Sequence, residues 1–293
     1  MKCSYVLKGG AWPCRQCLPC RLNIRREWTN RIMLESKSHH ASVFVTLTYS
    51  DDNVPAGFSL DPDHTRKWLY RFRNALQGRR IRYYLVGEYG DITQRPHYHA
   101  VLFGVSEADS HLVHRTWTLG HTRVDSLTIE RAQYVAGYVT KKMTKADDPR
   151  LRGRKPEFAR MSKMGSGGIG ATYLPKIAHT LLTNEHAKAQ LDAEGDVPLV
   201  LKHSGRAFPT GRYLRSKLRE KVGLDFNSEF STDKLRAERF RQEVFQQDLS
   251  LLREGQITLA QFDEKQGFIR GAEKVDQTVL NLEGRLKIKR RSM

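Results

Sequence analysis

After residue 20 the chain contains no cysteine. The four it has, Cys3, Cys14, Cys17 and Cys20, crowd into the N-terminal segment, whereas a secreted disulfide scaffold spreads its cysteines through the chain. Long hydrophobic runs are missing too, so no segment can cross a bilayer as a helix. The opening MKCSYVLKGGAW lacks the continuous apolar stretch of a signal peptide. Acidic residues are scarce: 32 Asp and Glu stand against 50 Lys and Arg, a net charge of +18. These shortages argue against secretion and membrane insertion and for a reducing cytoplasm. A surplus of positive charge repels itself in a compact state, and a polyanion would neutralise it. Nucleic acid is the first candidate, ahead of a merely soluble basic protein or an anionic membrane.

What is there is ample chain for a core: 293 residues, 39% of them apolar and 28% charged, enough for one large domain or a domain with an appendage. The run Cys14-Arg-Gln-Cys17-Leu-Pro-Cys20 has metal-knuckle spacing, and Cys3 can supply a fourth thiolate for tetrahedral zinc. Three cysteines at this spacing also suit an iron–sulfur cluster. Reduced, solvated thiols are the bland alternative. A structural zinc is the reading adopted.

Residues 21–37 read as a helix with Leu22, Trp28, Ile32 and Met33 on its apolar side and a basic surface opposite. SVFVTLTY (42–49) is rich in β-branched and aromatic residues and reads as a strand. Asp61-Pro62 opens a helix as N-cap and first-turn proline, with Trp68, Phe72 and Leu76 on its core face. Strands follow at 81–88 and 97–103, then a short helix near 109–118 and a strand near 121–126. Thr128 caps a helix expected to run from 129 to about 145. The order β-α-β-β-α-β-α predicts an α+β fold: an antiparallel sheet of ferredoxin-like, split βαβ topology, with helices against one face. Three regions follow: a Cys-rich element and basic helix over 1–40, a catalytic domain over 41–183, and a mainly helical, basic region over 184–293. The Gly-rich stretch 161–170 lacks the Lys-Ser/Thr of a phosphate-binding loop. Basic clusters stand at 206–219, which includes Arg206 and Arg212, and in the tail at 285–291.

One strand carries chemistry. His97 and His99 are two apart and share a side. If 89–96 closes a hairpin, Glu88 sits opposite His97 on that side. Two imidazoles and a carboxylate with open positions suit Mg²⁺ or Mn²⁺. On the following helix, Tyr134, Tyr138, Lys141 and Lys145 form one stripe, and Val135, Val139 and Met143 form another that suits a core. Rings covering the sheet beside solvated lysines would be the bland reading. Over a metal site, the first stripe reads as nucleophiles facing a phosphate.

These residues resemble a known family. Arg95-Pro96-His97-Tyr98-His99-Ala100-Val101-Leu102-Phe103-Gly104 is similar to the His-hydrophobe-His motif of HUH endonucleases, and Phe44-Val45-Thr46-Leu47-Thr48-Tyr49 to their first strand. Tyr134-Val135-Ala136-Gly137-Tyr138-Val139-Thr140-Lys141-Lys142 resembles the two-tyrosine motif of the bacteriophage gene A type. With the Cys-rich start and Gly87-Glu88-Tyr89-Gly90, the order and spacing resemble the replication initiation proteins of microviruses, gokushovirus branch, over roughly residues 1–215. The resemblance implies an HUH endonuclease fold and a metal-dependent endonuclease and strand transferase. Such an enzyme nicks the origin of a circular genome through a 5′-phosphotyrosine and starts rolling-circle replication. It implies Tyr134 and Tyr138 as alternating nucleophiles assisted by Lys141 and Lys142, His97, His99 and Glu88 as metal ligands, and single-stranded origin DNA as substrate. Arg95, Lys145, Arg206 and Arg212 are the expected DNA contacts. Host helicase and polymerase are the expected partners, in the host cell cytoplasm. A non-haem iron oxygenase is the enzymatic rival, but it needs an all-β jelly roll. A non-catalytic, zinc-containing single-strand DNA-binding protein is the other, and it leaves the tyrosine stripe unexplained.

Overall fold

A computed structural model describes residues 6–7, 12–15, 17–90, 92–140, 148–162, 167–224, 246–258 and 261. Two short strands, β1 (Val6–Leu7) and β2 (Trp12–Pro13), pair ahead of helix α1 (Leu18–Ser36). Then come β3 (Ser42–Tyr49), α2 (Pro62–Ala75), β4 (Arg82–Tyr89), β5 (Pro96–Phe103), α3 (Ser110–Thr116), β6 (Gly120–Ser126), α4 (Ile129–Ala136) and β7 (Phe158–Met161). The remaining elements are α5 (Leu174–Thr183), α6 (Glu185–Glu194), a hairpin of β8 (Val200–His203) with β9 (Arg206–Pro209), and α7 (Gly211–Val222).

The five-stranded sheet has the order β6-β3-β5-β4-β7, and every neighbouring pair is antiparallel. β3 and β4, the strands joined through α2, flank β5. The chain is therefore α+β, with an antiparallel sheet, helices and an N-terminal cysteine cluster.

Strand alternation decides what covers the sheet. Val43, Val45, Leu47 and Tyr49 of β3 point to one face, with Leu85, Tyr98, Ala100 and Leu102, against Trp68, Leu69 and Phe72 of α2 and Leu112 and Val113 of α3. Phe44 points to the other, with Tyr84, Val86, Val101 and Phe103, against Ile32 of α1 and Ala132, Val135 and Ala136 of α4. Helices thus pack on both faces, not on one as the sequence order suggested. The reason is that β4 and β5 are apolar at consecutive positions, so both sides had to leave water; each large side chain buried contributes about 1.5–3 kcal/mol.

The helix over 129–145 is corrected as well. Thr128 caps it as expected, accepting from the Arg131 N–H. The α-helix ends at Ala136, and Gly137–Thr140 tightens into a 3₁₀ turn. Gly137 is a poor helix former, and a Cβ there would stand 3.6 Å from the Arg25 guanidinium. The edge strand β7 went unanticipated. Gly87 lets it dock, since a Cβ at 87 would stand 2.6 Å from the Phe158 ring.

Beyond 184 the hairpin β8–β9 interrupts what the sequence suggested was mainly helical. Ser204 and Gly205 both take positive φ, 50° and 70°, as a two-residue hairpin turn of the right twist demands. A third apolar cluster joins Leu34 of α1 to Leu174, Leu181, Leu191, Leu214 and Leu218. Beside it Glu35, wholly buried, pairs with Arg82 Nε at 2.6 Å and accepts from the Gly170 N–H (2.7 Å) and Thr172 Oγ1 (2.9 Å). Burial alone would raise its pKa, but the bonds from His39, Gly170 and Thr172 and the Arg82 charge outweigh that and hold it below the usual range.

Candidate active site

The site lies where α1 and α4 leave the sheet uncovered, at the end of β5 that opens on the β4–β5 hairpin. Pairing in that hairpin sets Glu88 directly opposite His97, and pairing with β3 sets Thr46 opposite His99 and Thr48 opposite His97. All five side chains share the face of Phe44 and Val101. Tyr98, between the histidines, points the other way into the α2 side, where its hydroxyl meets Tyr49 Oη at 2.7 Å.

His99 Nε2 lies 2.8 Å from Glu88 Oε1, and its Nδ1 lies 3.1 Å from Thr46 Oγ1. His97 Nδ1 lies 3.2 Å from Thr48 Oγ1. The hydroxyls can donate or accept, so they support either tautomer; with Nδ1–H donating to threonine, the Nε2 lone pair turns toward the site. Glu88 and His99 are 4% and 7% exposed. Burial, with the nearby His99 and Arg95, lowers the pKa of His97 and favours its neutral, ligating form. His97 Nε2 lies on the Gly90 side, 3.4 Å from where a Cβ of residue 90 would be.

Both tyrosines arrive over this patch, but unequally. Tyr134 is 46% exposed, and its hydroxyl donates to Glu88 Oε1 at 2.8 Å, with His99 Nε2 3.5 Å away. Tyr138 is 6% exposed and belongs to the core cluster, its ring stacked on His99 at 6.3 Å between centroids. The two rings meet edge to face at 5.7 Å. Phe44 stacks on the opposite side of the His99 imidazole at 5.4 Å.

The other anticipated residues fare differently. Arg95 stands at the rim with its guanidinium bonded to Asp51 Oδ1 and the Tyr49 carbonyl, both at 2.7 Å. Arg206 pairs with Glu130 in the first turn of α4 at 2.9 Å, and Arg212 is exposed on α7. Lys141, Lys142, Lys145 and Cys3 lie outside the described residues. The thiol sulfurs of Cys14, Cys17 and Cys20 gather within 4.8 Å of one another. Thr46, Thr48 and Phe44 went unnamed in the motif reading. Their signal was present: three alternate positions of one strand, facing the histidines once the antiparallel register is known.

Residues 42–146 match a family of replication-associated proteins named for its ORF2 members, a span that holds every strand and helix of this site. Among curated proteins, the chain is 33% identical over 168 residues to replication-associated protein VP4 of Bdellovibrio phage phiMH2K, covering 50% of this chain and 53% of that protein. It is 34% identical over 196 residues to replication-associated protein ORF2 of Spiroplasma virus 4, covering 59% of each. Replication-associated protein ORF4 of Chlamydia phage 1 is 29% identical over 251 residues, 78% of this chain and 58% of that protein. The chain thus spans between half and three fifths of these relatives' lengths. No solved structure matches. The resemblance to microvirus replication proteins, carried by the motifs, is borne out. Among the described residues, no helix is long and apolar enough to cross a membrane.

Proposed function

We propose that this chain initiates replication of a circular DNA genome by cutting one strand at its origin and keeping the 5′ phosphate on a tyrosine. The observation that carries the reading is the Tyr134 hydroxyl, exposed to solvent yet bonded to Glu88 beside His99. The names of the phage relatives agree with a replication role. The strand order, with β5 between β3 and β4, agrees with an HUH-type, ferredoxin-like sheet.

The donor set fits a hard divalent cation. The Glu88–His99 contact at 2.8 Å needs a shared proton, and a cation could take that proton's place between the same two atoms. His97, His99 and Glu88 would hold the ion, Mg²⁺ or Mn²⁺, which when bound would polarise the scissile phosphate. Tyr134 is a weak nucleophile while protonated. Its proton points at Glu88 Oε1, leaving Oη to attack phosphorus. The bond from phosphorus to the 3′ oxygen breaks, and the freed 3′ hydroxyl becomes a primer. The phosphotyrosine conserves the bond energy, so rejoining needs no nucleotide cofactor.

Lys141 and Lys142 are proposed to neutralise the phosphate in the transition state, and Lys145, Arg206 and Arg212 to hold the strand's backbone. Arg95 takes a different role: tied to Asp51 and Tyr49, it fixes the hairpin that carries His97. Host helicase and polymerase would take over at the 3′ end, in the host cytoplasm.

Incubation of the chain with origin-bearing single-stranded DNA and Mn²⁺ tests this. The expected product is a covalent protein–DNA adduct, absent with EDTA and absent in His99→Ala, which still binds the strand. Binding without any adduct under all conditions would reduce the protein to a DNA-binding module.

A further inference from the structure

The cysteine cluster lies apart from the tyrosine site and takes no part in that chemistry. Cys14 Sγ and Cys20 Sγ are 4.0 Å apart, twice the length of a disulfide bond. All three sulfurs lie within 4.8 Å of one another. A tetrahedral zinc–thiolate centre, with bonds of about 2.3 Å, sets its sulfurs about 3.8 Å apart. The cluster is therefore already close to the spacing that one ion imposes.

Two further observations favour the thiolate form there. The Cys17 N–H donates to Cys14 Sγ at 3.3 Å, a bond that strengthens as the sulfur gains charge. Cys17 is the N-cap of α1 and Cys20 lies in its first turn, with no acidic residue there. Anionic sulfurs thus meet the positive end of a 19-residue helix. Between Cys14 and Cys17 the backbone turns at Arg15 with φ of 61°, a left-handed conformation uncommon for arginine. That turn brings Cys14 back onto the helix start.

We propose that Cys14, Cys17 and Cys20 bind one structural Zn²⁺, and that this ion fixes the start of α1 and thereby the seat of α4. Each thiol releases its proton to solvent as its sulfur–zinc bond forms, so binding weakens as pH falls. The path to α4 is short. Five residues after Cys20, Arg25 Nε donates to the Gln133 carbonyl at 2.8 Å, the peptide that leads into Tyr134. Two turns further, Ile32 packs in one cluster with Ala132, Val135 and Tyr138, with Trp28 against it. The ion is distinct from the cation proposed at His97, His99 and Glu88: soft sulfur donors select zinc, whereas imidazole with carboxylate accepts a harder ion.

The test uses the full chain, purified under reducing conditions. Its metal content is measured, and the zinc is exchanged for Co²⁺. One equivalent of zinc per chain and the thiolate-to-cobalt charge-transfer band are expected, both lost in Cys14→Ser and in Cys17→Ser. These two positions are only half-buried, so far-UV circular dichroism should report an intact fold. His97→Ala and Glu88→Ala should keep the zinc, which separates this centre from the other site. In Cys14→Ser, hydrogen exchange across 129–138 should quicken while the β3–β5 strands under α2 keep their protection. Four results would overturn the proposal: a folded wild-type chain without zinc, zinc that persists in both serine variants, iron with acid-labile sulfide at stoichiometry, or unchanged exchange in α4 after zinc loss.

Discussion

Tyr134 and Tyr138 stand one helical turn apart in sequence, yet their surroundings divide the labour. The first is exposed and bonded to Glu88; the second is buried and stacked on His99. A pair of equivalent, alternating nucleophiles would show similar access. The asymmetry assigns the first cut to Tyr134 and a later one to Tyr138, after a small outward movement of its ring. Tyr134→Phe should abolish the first adduct, whereas Tyr138→Phe should make that adduct and then fail to release repeated circles; denaturing gels of single- and multiple-turnover reactions read the two outcomes. Thr46 belongs to the same scale. It holds His99 Nδ1 at 3.1 Å, and loss of such an outer partner costs metal affinity or activity about 10–100-fold. Thr46→Val should lower Mn²⁺-dependent cleavage by that order and leave strand binding unchanged, as titration of Mn²⁺ will check.

Among the elements, α3 depends on a charge pair that acid will remove. Asp109 bonds Arg79 at 2.6 Å and accepts from the Ser106 N–H at 3.0 Å. The Arg79 hydrogen bond pushes its carboxyl from the ordinary aspartate range down to about 2. A depressed pKa contributes stability above the unfolded-state value and loses it as pH falls through the folded one. Asp109→Asn should therefore cost about 1 kcal/mol at neutral pH, and the difference from wild type should vanish as pH falls from about 4 to 2. Urea unfolding of both chains across that range measures it.

Glu35 is the harder case. It ties α1, β4 and the loop before α5 through Arg82, Gly170 and Thr172. Glu35→Ala would leave the Arg82 charge buried without its carboxylate and should cost about 3–5 kcal/mol, visible as a large fall in Tm. The Glu35–Gly170 contact crosses 135 residues of sequence, so no local pattern could announce it. By contrast, the Glu88–His97 register was legible, because a strand's period of two leaves few ways to close a short hairpin. The four main strands, the caps at Asp61 and Thr128, and the buried face of α2 were legible for the same local reasons. The second helical layer was not: the continuous apolar runs of β4 and β5 announce burial on two faces without naming what covers them. β7 is only four residues long and follows a proline, so it offered no alternation to read.

At the scale of the whole molecule, the net charge of +18 calls for a polyanion. Each phosphate neutralised releases counterions, and six to ten such contacts weaken binding by about 10³–10⁵ between 50 and 200 mM salt. Affinity for single-stranded DNA, followed by fluorescence anisotropy, should fall steeply over that range; a flat response would leave the charge without a role. The fold gives that charge a place to act, because the tyrosine hydroxyl, the carboxylate and the imidazoles meet at an open end of the sheet. The central claim is that a strand of DNA is cut there by Tyr134. The most direct measurement traps the covalent product of a single turnover on origin DNA with Mn²⁺, digests the protein and locates the attached nucleotide by mass spectrometry. The account predicts a 5′-phosphodiester on Tyr134; attachment to any other residue, or no attachment by a folded, DNA-bound chain, would contradict it.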